Sequence, residues 1–310
     1  MKLGDKIKKY REENRMTQRD IAEILEVEPG TVSKYESGML EPNIESIKRL
    51  SETFGITIDE LLKEDDEKVD ISKINVLEVL REQKEMKLKG NLYHNTQIIF
   101  SYNTNHIEGS KLTEDQTRYI FETNTILFEG ETVASVDDIL ETANHFKLVD
   151  YMLDIAEEDL TEEIIKKFHR ILIEGTMDSR QSWFNVGEYK KVVNEAGVMK
   201  TTSPKETPKA MQKLMEWYNS LSKITIKEII GFHARFEKIH PFQDGNGRVG
   251  RMVMFKECLK NNIIPFIILD KDKLFYYRGL KGNREKGYLI DTCLNAQDQY
   301  IKMIEYYLKG

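Results

Sequence analysis

Within twelve residues the chain gathers one histidine, one carboxylate, a Gly-Asn-Gly turn and two arginines: His240-Pro-Phe-Gln-Asp-Gly-Asn-Gly-Arg-Val-Gly-Arg251. His240 can take a proton near neutral pH. Asp244 is a hard carboxylate suited to Mg²⁺, which usually accepts one or two protein carboxylates and completes its shell with phosphate and water. Gly245-Asn246-Gly247, opening a helix, offers unpaired backbone N–H groups and a positive helix end, which together bind an anion. Arg248 and Arg251 lie three apart on one helix face, where both can reach phosphate oxygens. A base, a metal ligand, an anion nest and two arginines make a site for in-line attack on a nucleotide phosphate.

Gly245, Gly247 and Gly250 also satisfy the dinucleotide fingerprint, and Asp270 follows 20 residues beyond Gly250, after the strand-like Ile263 to Leu269. That fingerprint requires a buried strand before its first glycine. Here Phe232-His-Ala-Arg-Phe-Glu-Lys-Ile239 reads as a charged amphipathic helix, so the match is a decoy. His169 and His233, set among apolar neighbours on helices, read as structural. His94, His106 and His145 lack zinc-ligand spacing.

The elements that must position these groups read as helical almost throughout. Lys73–Lys89, Leu92–Tyr102, Thr113–Thr123, Val136–Glu157, Thr161–Glu174, Pro208–Ser222, Lys227–Ile239, Gly247–Asn261 and a long C-terminal stretch carry helical periodicity. Val192-Val193 and Val198-Met199, on either side of Asn194-Glu-Ala-Gly197, predict a small hairpin. Residues 2–63 read as five short helices, with Thr17 and Asp20 at capping-box spacing and Ile44, Ile47 and Leu50 on a buried side. Glu64-Asp-Asp-Glu-Lys-Val-Asp70 has no apolar periodicity and reads as a hinge. The expected organisation is residues 1–63, an acidic hinge with a linker helix over 64–89, and a helical core over 90–310.

Composition sets the outer limits. The 310 residues are 40% hydrophobic and 32% charged, with 46 basic and 53 acidic side chains. The net charge of −7 argues against coating nucleic acid through bulk charge. The longest apolar run, Ile263 to Leu269, is far short of a membrane span. Two cysteines form neither a disulfide framework nor a metal knuckle. The expectation is a cytoplasmic protein without membrane association.

Thr17-Gln-Arg-Asp-Ile-Ala and Thr31-Val-Ser-Lys-Tyr-Glu-Ser-Gly38 closely resemble the phage-repressor-like helix-turn-helix family. In that family the third helix enters the DNA major groove. The resemblance makes Gln18, Glu28, Thr31, Ser33 and Lys34 candidate DNA contacts, with DNA as the implied partner. Glu26 stands where the family usually has glycine at positive φ, at a cost of about 1 kcal/mol if that geometry is kept. The first 63 residues hold 11 basic and 13 acidic side chains, a balance of −2. Their basic edge is Lys2, Lys6, Lys8, Lys9, Arg11, Arg15 and Arg19. Repressor-like domains often dimerise, so a homodimer is a further expectation; a helical docking module is the alternative reading.

The His240–Arg251 segment matches the Fic family motif, His-x-Phe-x-Asp/Glu-Gly-Asn-Gly-Arg-x-x-Arg, at every fixed position, a coincidence on the order of 10⁻⁸ by chance. The resemblance extends from about Asn91 to Tyr306 and includes Ile165-Lys-Lys-Phe-His169, Gly187-Glu-Tyr-Lys190 and Tyr276-Tyr277. It implies an all-helical core with a hairpin flap, and transfer of AMP from ATP to a hydroxyl of a target protein. It assigns His240 as base and Asp244 as Mg²⁺ ligand. Gly245, Asn246 and Gly247 fall to the α-phosphoryl oxygens, and Arg248 and Arg251 to the β- and γ-phosphates. Tyr276 and Tyr277 fall to the adenine pocket, and the flap from Lys190 to Thr202 to docking the target by strand addition.

One Fic class carries an inhibitory Ser/Thr-x-x-x-Glu-Gly/Asn sequence. Both Thr104–Gly109 and Thr125–Gly130 fit it, and the first stands in the family's context, Tyr102-Asn-Thr-Asn-His-Ile-Glu-Gly-Ser110. Glu108 is therefore the expected brake, competing with a γ-phosphate oxygen for Arg251. In some relatives the same glutamate orients water to remove AMP. The reading is an autoinhibited protein adenylyltransferase. The alternative is a DNA-binding transcription regulator whose core senses nucleotide.

Overall fold

The computed structural model describes residues 2–63, 70–126, 134–196, 199–281 and 286–309. The hinge residues 64–69, the Glu129-Gly130 match and Gly197-Val198 lie outside them. The chain divides into two compact units, one within residues 1–69 and one spanning 70–308. The described residues form fifteen α-helices and one minimal strand pair.

The first unit comprises α1 (Leu3–Glu13), α2 (Gln18–Leu25), α3 (Pro29–Glu36), α4 (Ile44–Phe54) and α5 (Ile58–Leu62). Thr17 and Asp20 close a reciprocal capping box at the start of α2, satisfying two orphan N–H groups. Glu26 ends α2 in the left-handed region at φ 55°, so the expected turn is kept without its glycine. Ile7, Ile21, Leu25, Val32, Leu50 and Leu61 form the core. Ile44 is not part of it. It is 84% exposed, because the buried stripe of α4 begins at Ser46 and continues through Leu50 and Phe54.

The second unit comprises α6 (Val76–Met86), α7 (Leu92–Ile107), α8 (Glu114–Thr123), α9 (Val136–Asp154), α10 (Glu162–Ile173), α11 (Thr207–Asn219), α12 (Ile226–Ile239), α13 (Asn246–Lys260), α14 (Lys273–Leu280) and α15 (Lys286–Tyr307). At the centre lies α13, buried on nearly every side from Asn246 to Leu259. A helix buried all round must pair its charges internally. Lys256 Nζ meets Glu257 at 2.8 Å, and Tyr218 donates to Glu257 at 2.9 Å. The helix read as a linker, α6, buries Val76, Leu77 and Leu80 in the same core. Ile263–Leu269 pairs with no strand and runs as a chain segment that buries Phe266, Ile267 and Ile268.

The hairpin is shorter than its sequence suggests and displaced along the chain. Glu195–Ala196 (β1) pairs antiparallel with Met199–Lys200 (β2), Glu195 opposite Lys200. Val192 and Val193 stay outside the pairing and are exposed. The reason is Asn194, whose Nδ2 donates to the Phe242 carbonyl at 2.7 Å and so draws this stretch onto the His240 loop.

Candidate active site

The loop between α12 and α13 carries the motif. His240 ends α12 in the left-handed region, φ 52°, which turns the chain sharply out of the helix. Phe242 is fully buried and stacks flat on His169, ring centroids 4.0 Å apart. His169 Nδ1 accepts the Gly187 N–H at 2.8 Å, and burial pushes this histidine down to about 3, so it is a neutral structural ring. Asn246 accepts the Phe242 N–H at 2.8 Å and returns a bond to the Phe242 carbonyl at 2.9 Å. Its side chain thereby shapes the loop, and its backbone N–H stands in the first turn of α13. The first backbone N–H groups of α13 lie outside the helical ladder, as at any helix start. Gly245 sits at φ 72°, and a Cβ there would press on Ile173 and Leu172 of α10 at 3.2 and 3.3 Å.

Both motif arginines are buried and occupied. Arg251 Nη2 pairs with Glu108 Oε1 at 2.6 Å, its Nε donates to Thr104 Oγ1 at 2.7 Å, and Nη2 also reaches the Thr104 carbonyl at 3.1 Å. All three contacts come from the last turn of α7 and its cap. Glu108 lies directly over the nest: a Cβ placed on Gly247 would collide with its Oε1. Arg248 Nη1 meets Glu141 of α9 at 2.5 Å, and its Nη2 meets Asp244 at 3.2 Å. Burial disfavours the charged guanidinium of Arg248, and Glu141 and Asp244 outweigh it. The Glu141 carboxyl is itself raised, because burial exceeds what Arg248 returns. Nothing in the pattern around Glu141 marks it in the sequence; only the packing of α9 on α13 brings it to Arg248.

The two tyrosines differ in burial: Tyr276 is enclosed and Tyr277 half-buried. Tyr276 is 1% exposed, with its hydroxyl 2.7 Å from His233 Nε2 and accepting from Arg251 Nη1 at 3.3 Å. It acts as a wall behind Arg251, not as an open platform for a base. Tyr277 donates to the Ile107 carbonyl at 3.2 Å, and Lys273 donates to the His106 carbonyl at 3.4 Å. These bonds satisfy orphan carbonyls at the C-terminus of α7 and hold the Glu108 turn in place.

Asp244 is the exposed member of the set, its side chain 58% accessible beside the nest. That is the donor Mg²⁺ ordinarily takes from a protein, and the residues present fit it. Among the described residues no group of three His, Cys, Asp or Glu side chains converges to hold a metal by protein atoms alone. Lys190 is buried and ties the flap down: Nζ donates to Asn194 at 2.6 Å, to Thr201 at 2.9 Å and to the Ile239 carbonyl at 3.3 Å. Burial pulls this amine down to about 8.

In the first unit Glu28, Ser33 and Lys34 are exposed on α3 and its cap, and Thr31 is half-buried. Gln18 is engaged internally, donating to Glu36 at 2.8 Å. The basic edge is also smaller than it reads. Arg11 is bound to Glu36 at 2.5 Å, and Lys6 is buried, donating to the Glu60 carbonyl at 2.8 Å and to that of Lys63.

Residues 159–258 match the Fic/DOC family, and residues 7–61 match a helix-turn-helix family. The protein adenylyltransferase Fic of Drosophila melanogaster is 28% identical over 183 residues, which cover 58% of this chain and 36% of the fly protein. The protein adenylyltransferase fic-1 of Caenorhabditis elegans is 24% identical over 190 residues, 60% of this chain and 36% of its own length. The alignments thus span about a third of these relatives. Among solved structures, a Fic-domain signalling protein from Bacteroides thetaiotaomicron superposes with a TM-score of 0.58 at 24% identity, covering 76% of this chain and 96% of that one. Fic-1 of C. elegans gives 0.56 at 18% identity, covering 96% and 86%. At these identities the superpositions speak to the fold. The two family matches place a Fic/DOC domain over residues 159–258, C-terminal to a helix-turn-helix domain over residues 7–61.

Proposed function

We propose that the 70–308 unit is an autoinhibited protein adenylyltransferase, transferring AMP from ATP to a Ser, Thr or Tyr hydroxyl of a target protein and releasing pyrophosphate. The observation that carries the reading is Glu108, paired with Arg251 at 2.6 Å and lying over Gly247. A carboxylate occupying an anion nest is what a phosphate oxygen must displace. In this reading His240 removes the proton from the target hydroxyl, whose oxygen attacks the α-phosphorus. The helix N-terminus of α13 stabilises charge developing on the α-phosphoryl oxygens. Arg248 and Arg251 hold the β- and γ-phosphates once Glu108 has moved. Asp244 would hold Mg²⁺, which when bound neutralises charge on the α- and β-phosphates.

The flap from Lys190 to Thr202 presents backbone to a target, positioning a hydroxyl while reading little sequence. The helix-turn-helix unit would bring DNA as a second partner through Glu28, Thr31, Ser33 and Lys34. No described helix is long and apolar enough to cross a membrane. Two buried, unpaired cysteines, Cys258 and Cys293, fit a reducing cytoplasmic setting.

Label transfer to protein from α-labelled and γ-labelled ATP tests the reading, using wild type, Glu108→Gly and His240→Ala. Protein labelled from the α position by Glu108→Gly, and not by His240→Ala, is the expected result. Label from the γ position would replace it with a kinase-like use of the same nest. No label in any variant, with nucleotide-dependent DNA binding, would favour the second reading: a regulator in which the core senses nucleotide.

A further inference from the structure

Glu237 lies on the last turn of α12, three residues before His240, and is only 7% exposed. Its Oε2 is 3.7 Å from His240 Nδ1, while Glu237 Oε1 and His240 Nδ1 both lack a hydrogen-bond partner. A buried carboxylate without a full partner is costly to maintain, and a structural role is poorly served by leaving it so. The charged and titratable groups facing it are His233 on its own helix, Arg251 from α13, and Tyr276 and Tyr277 from α14. Arg251, Tyr276 and Tyr277 are committed elsewhere, whereas His233 is held through Nε2 alone and its Nδ1 has no hydrogen-bond partner among the described residues. Arg251 is held by Glu108, Thr104 and Tyr276, and Tyr277 by the Ile107 carbonyl. His233 bonds Tyr276, and burial pushes it down to about 4, keeping it neutral. Burial alone would raise the Glu237 carboxyl; the neighbouring His240 and the Arg251 guanidinium outweigh burial and hold it below the ordinary carboxylate range. Gly250 makes the arrangement physically possible, since a Cβ there would lie 2.5 Å from His233 Nδ1 and 3.2 Å from Glu237 Oε1.

We infer that Glu237 is a positioning residue for His240: its carboxylate accepts the Nδ1–H, leaving Nε2 as the basic nitrogen, and balances the charge once Nε2 is protonated. The 3.7 Å separation is longer than a hydrogen bond, as catalytic hydrogen bonds often are before substrate binds. The inference rests on the adenylyl-transfer reading. In that reaction the hydroxyl proton passes to Nε2 as the hydroxyl oxygen bonds the α-phosphorus. The bond from the α-phosphorus to the bridging oxygen breaks, and its electron pair leaves with pyrophosphate. A carboxylate behind Nδ1 favours the protonated ring formed in that step.

The test uses the full chain carrying Glu108→Gly, with Glu237→Gln or Glu237→Asp added. Transfer from α-labelled ATP is followed between about pH 5.5 and 9. Glu237→Gln is expected to lower kcat by about tenfold or more with KM for ATP nearly unchanged. It should also move the acid limb of the profile to lower pH, and Glu237→Asp should recover part of the loss. An unmoved acid limb, or kcat and melting temperature falling together with it unmoved, overturns the inference. Nitrogen NMR of the His240 ring in the otherwise wild-type chain supplies a readout that needs neither turnover nor a stable Glu237 variant. A proton on Nδ1 in the neutral ring is expected, and a proton on Nε2 overturns the pairing. If the chain transfers no AMP, the NMR result still decides the Glu237–His240 pairing, so the two failures are separable.

Discussion

On the adenylyl-transfer reading, the Glu108 side chain is where inhibition of this site would act. It forms a charge-assisted bond to Arg251, and its position over Gly247 blocks the same space sterically. Breaking a fully desolvated ion pair costs about 3–5 kcal/mol, which would correspond to a hundredfold or more in rate. Glu108 is 32% exposed, however, and solvent screening reduces that figure. Loss of the brake in Glu108→Gly is therefore expected to raise the initial rate of AMP transfer by at least about tenfold, corresponding to about 1.4 kcal/mol. A rate equal to wild type in a scintillation assay would remove Glu108 from the mechanism. His240→Ala in the same background should return transfer to background.

The elements around that residue determine how firmly it is held. The C-terminal turn of α7 grips Arg251 through Thr104, while Lys273 and Tyr277 of α14 cap its carbonyls from the other side. One hydrogen bond contributes about 0.5–1.5 kcal/mol, or roughly two- to tenfold in rate. Tyr277→Phe should accordingly activate transfer by a few-fold with no loss of ATP affinity. A raised KM for ATP with no activation would instead return Tyr277 to the adenine pocket. In the first unit, Arg11 and Gln18 converge on Glu36 from α1 and α2 and tie both to α3. Burial would raise the Glu36 carboxyl, yet the bonds from Arg11 and Gln18 hold it below the ordinary carboxylate range. A depressed folded-state value stabilises above the unfolded-state value and is lost as pH falls through the folded one. Circular-dichroism melts from about pH 7 to 3 should show this unit losing stability in acid, with a shallower slope in Glu36→Gln. Identical slopes would mean the pair does not contribute.

For the molecule as a whole, charge argues for restrained DNA binding. The net charge is −7, and the structure withdraws Lys6 and Arg11 from the basic edge of the first unit. Lys2, Lys8, Lys9, Arg15 and Arg19 remain on that edge, so if this unit binds DNA the slope of log affinity against log salt is expected to be about 0.9 per phosphate neutralised. Removing one contact with Lys34→Ala should reduce that slope by about one while weakening all sequences alike. A slope that does not change places Lys34 away from the phosphates.

Much of this protein was legible before any packing was known, because its strongest signals are local. The helices follow from apolar periodicity and caps such as Thr17, and the turn at Glu26 keeps its left-handed backbone even without glycine. The motif from His240 to Arg251 was readable because a helix N-terminus, a base and an anion nest can be built from consecutive residues. What stayed hidden required distant chain segments to meet. Glu141 reaches Arg248 only through the packing of α9 on α13. Tyr276 reads as a ligand-facing aromatic but stands behind Arg251, and Gln18 and Arg11 read as surface groups but close on Glu36. Local sequence determined which chemistry the chain carries. Burial and charge pairing across α7, α9, α13 and α14 decided which of those groups are occupied, because a buried guanidinium must find a carboxylate wherever the fold supplies one.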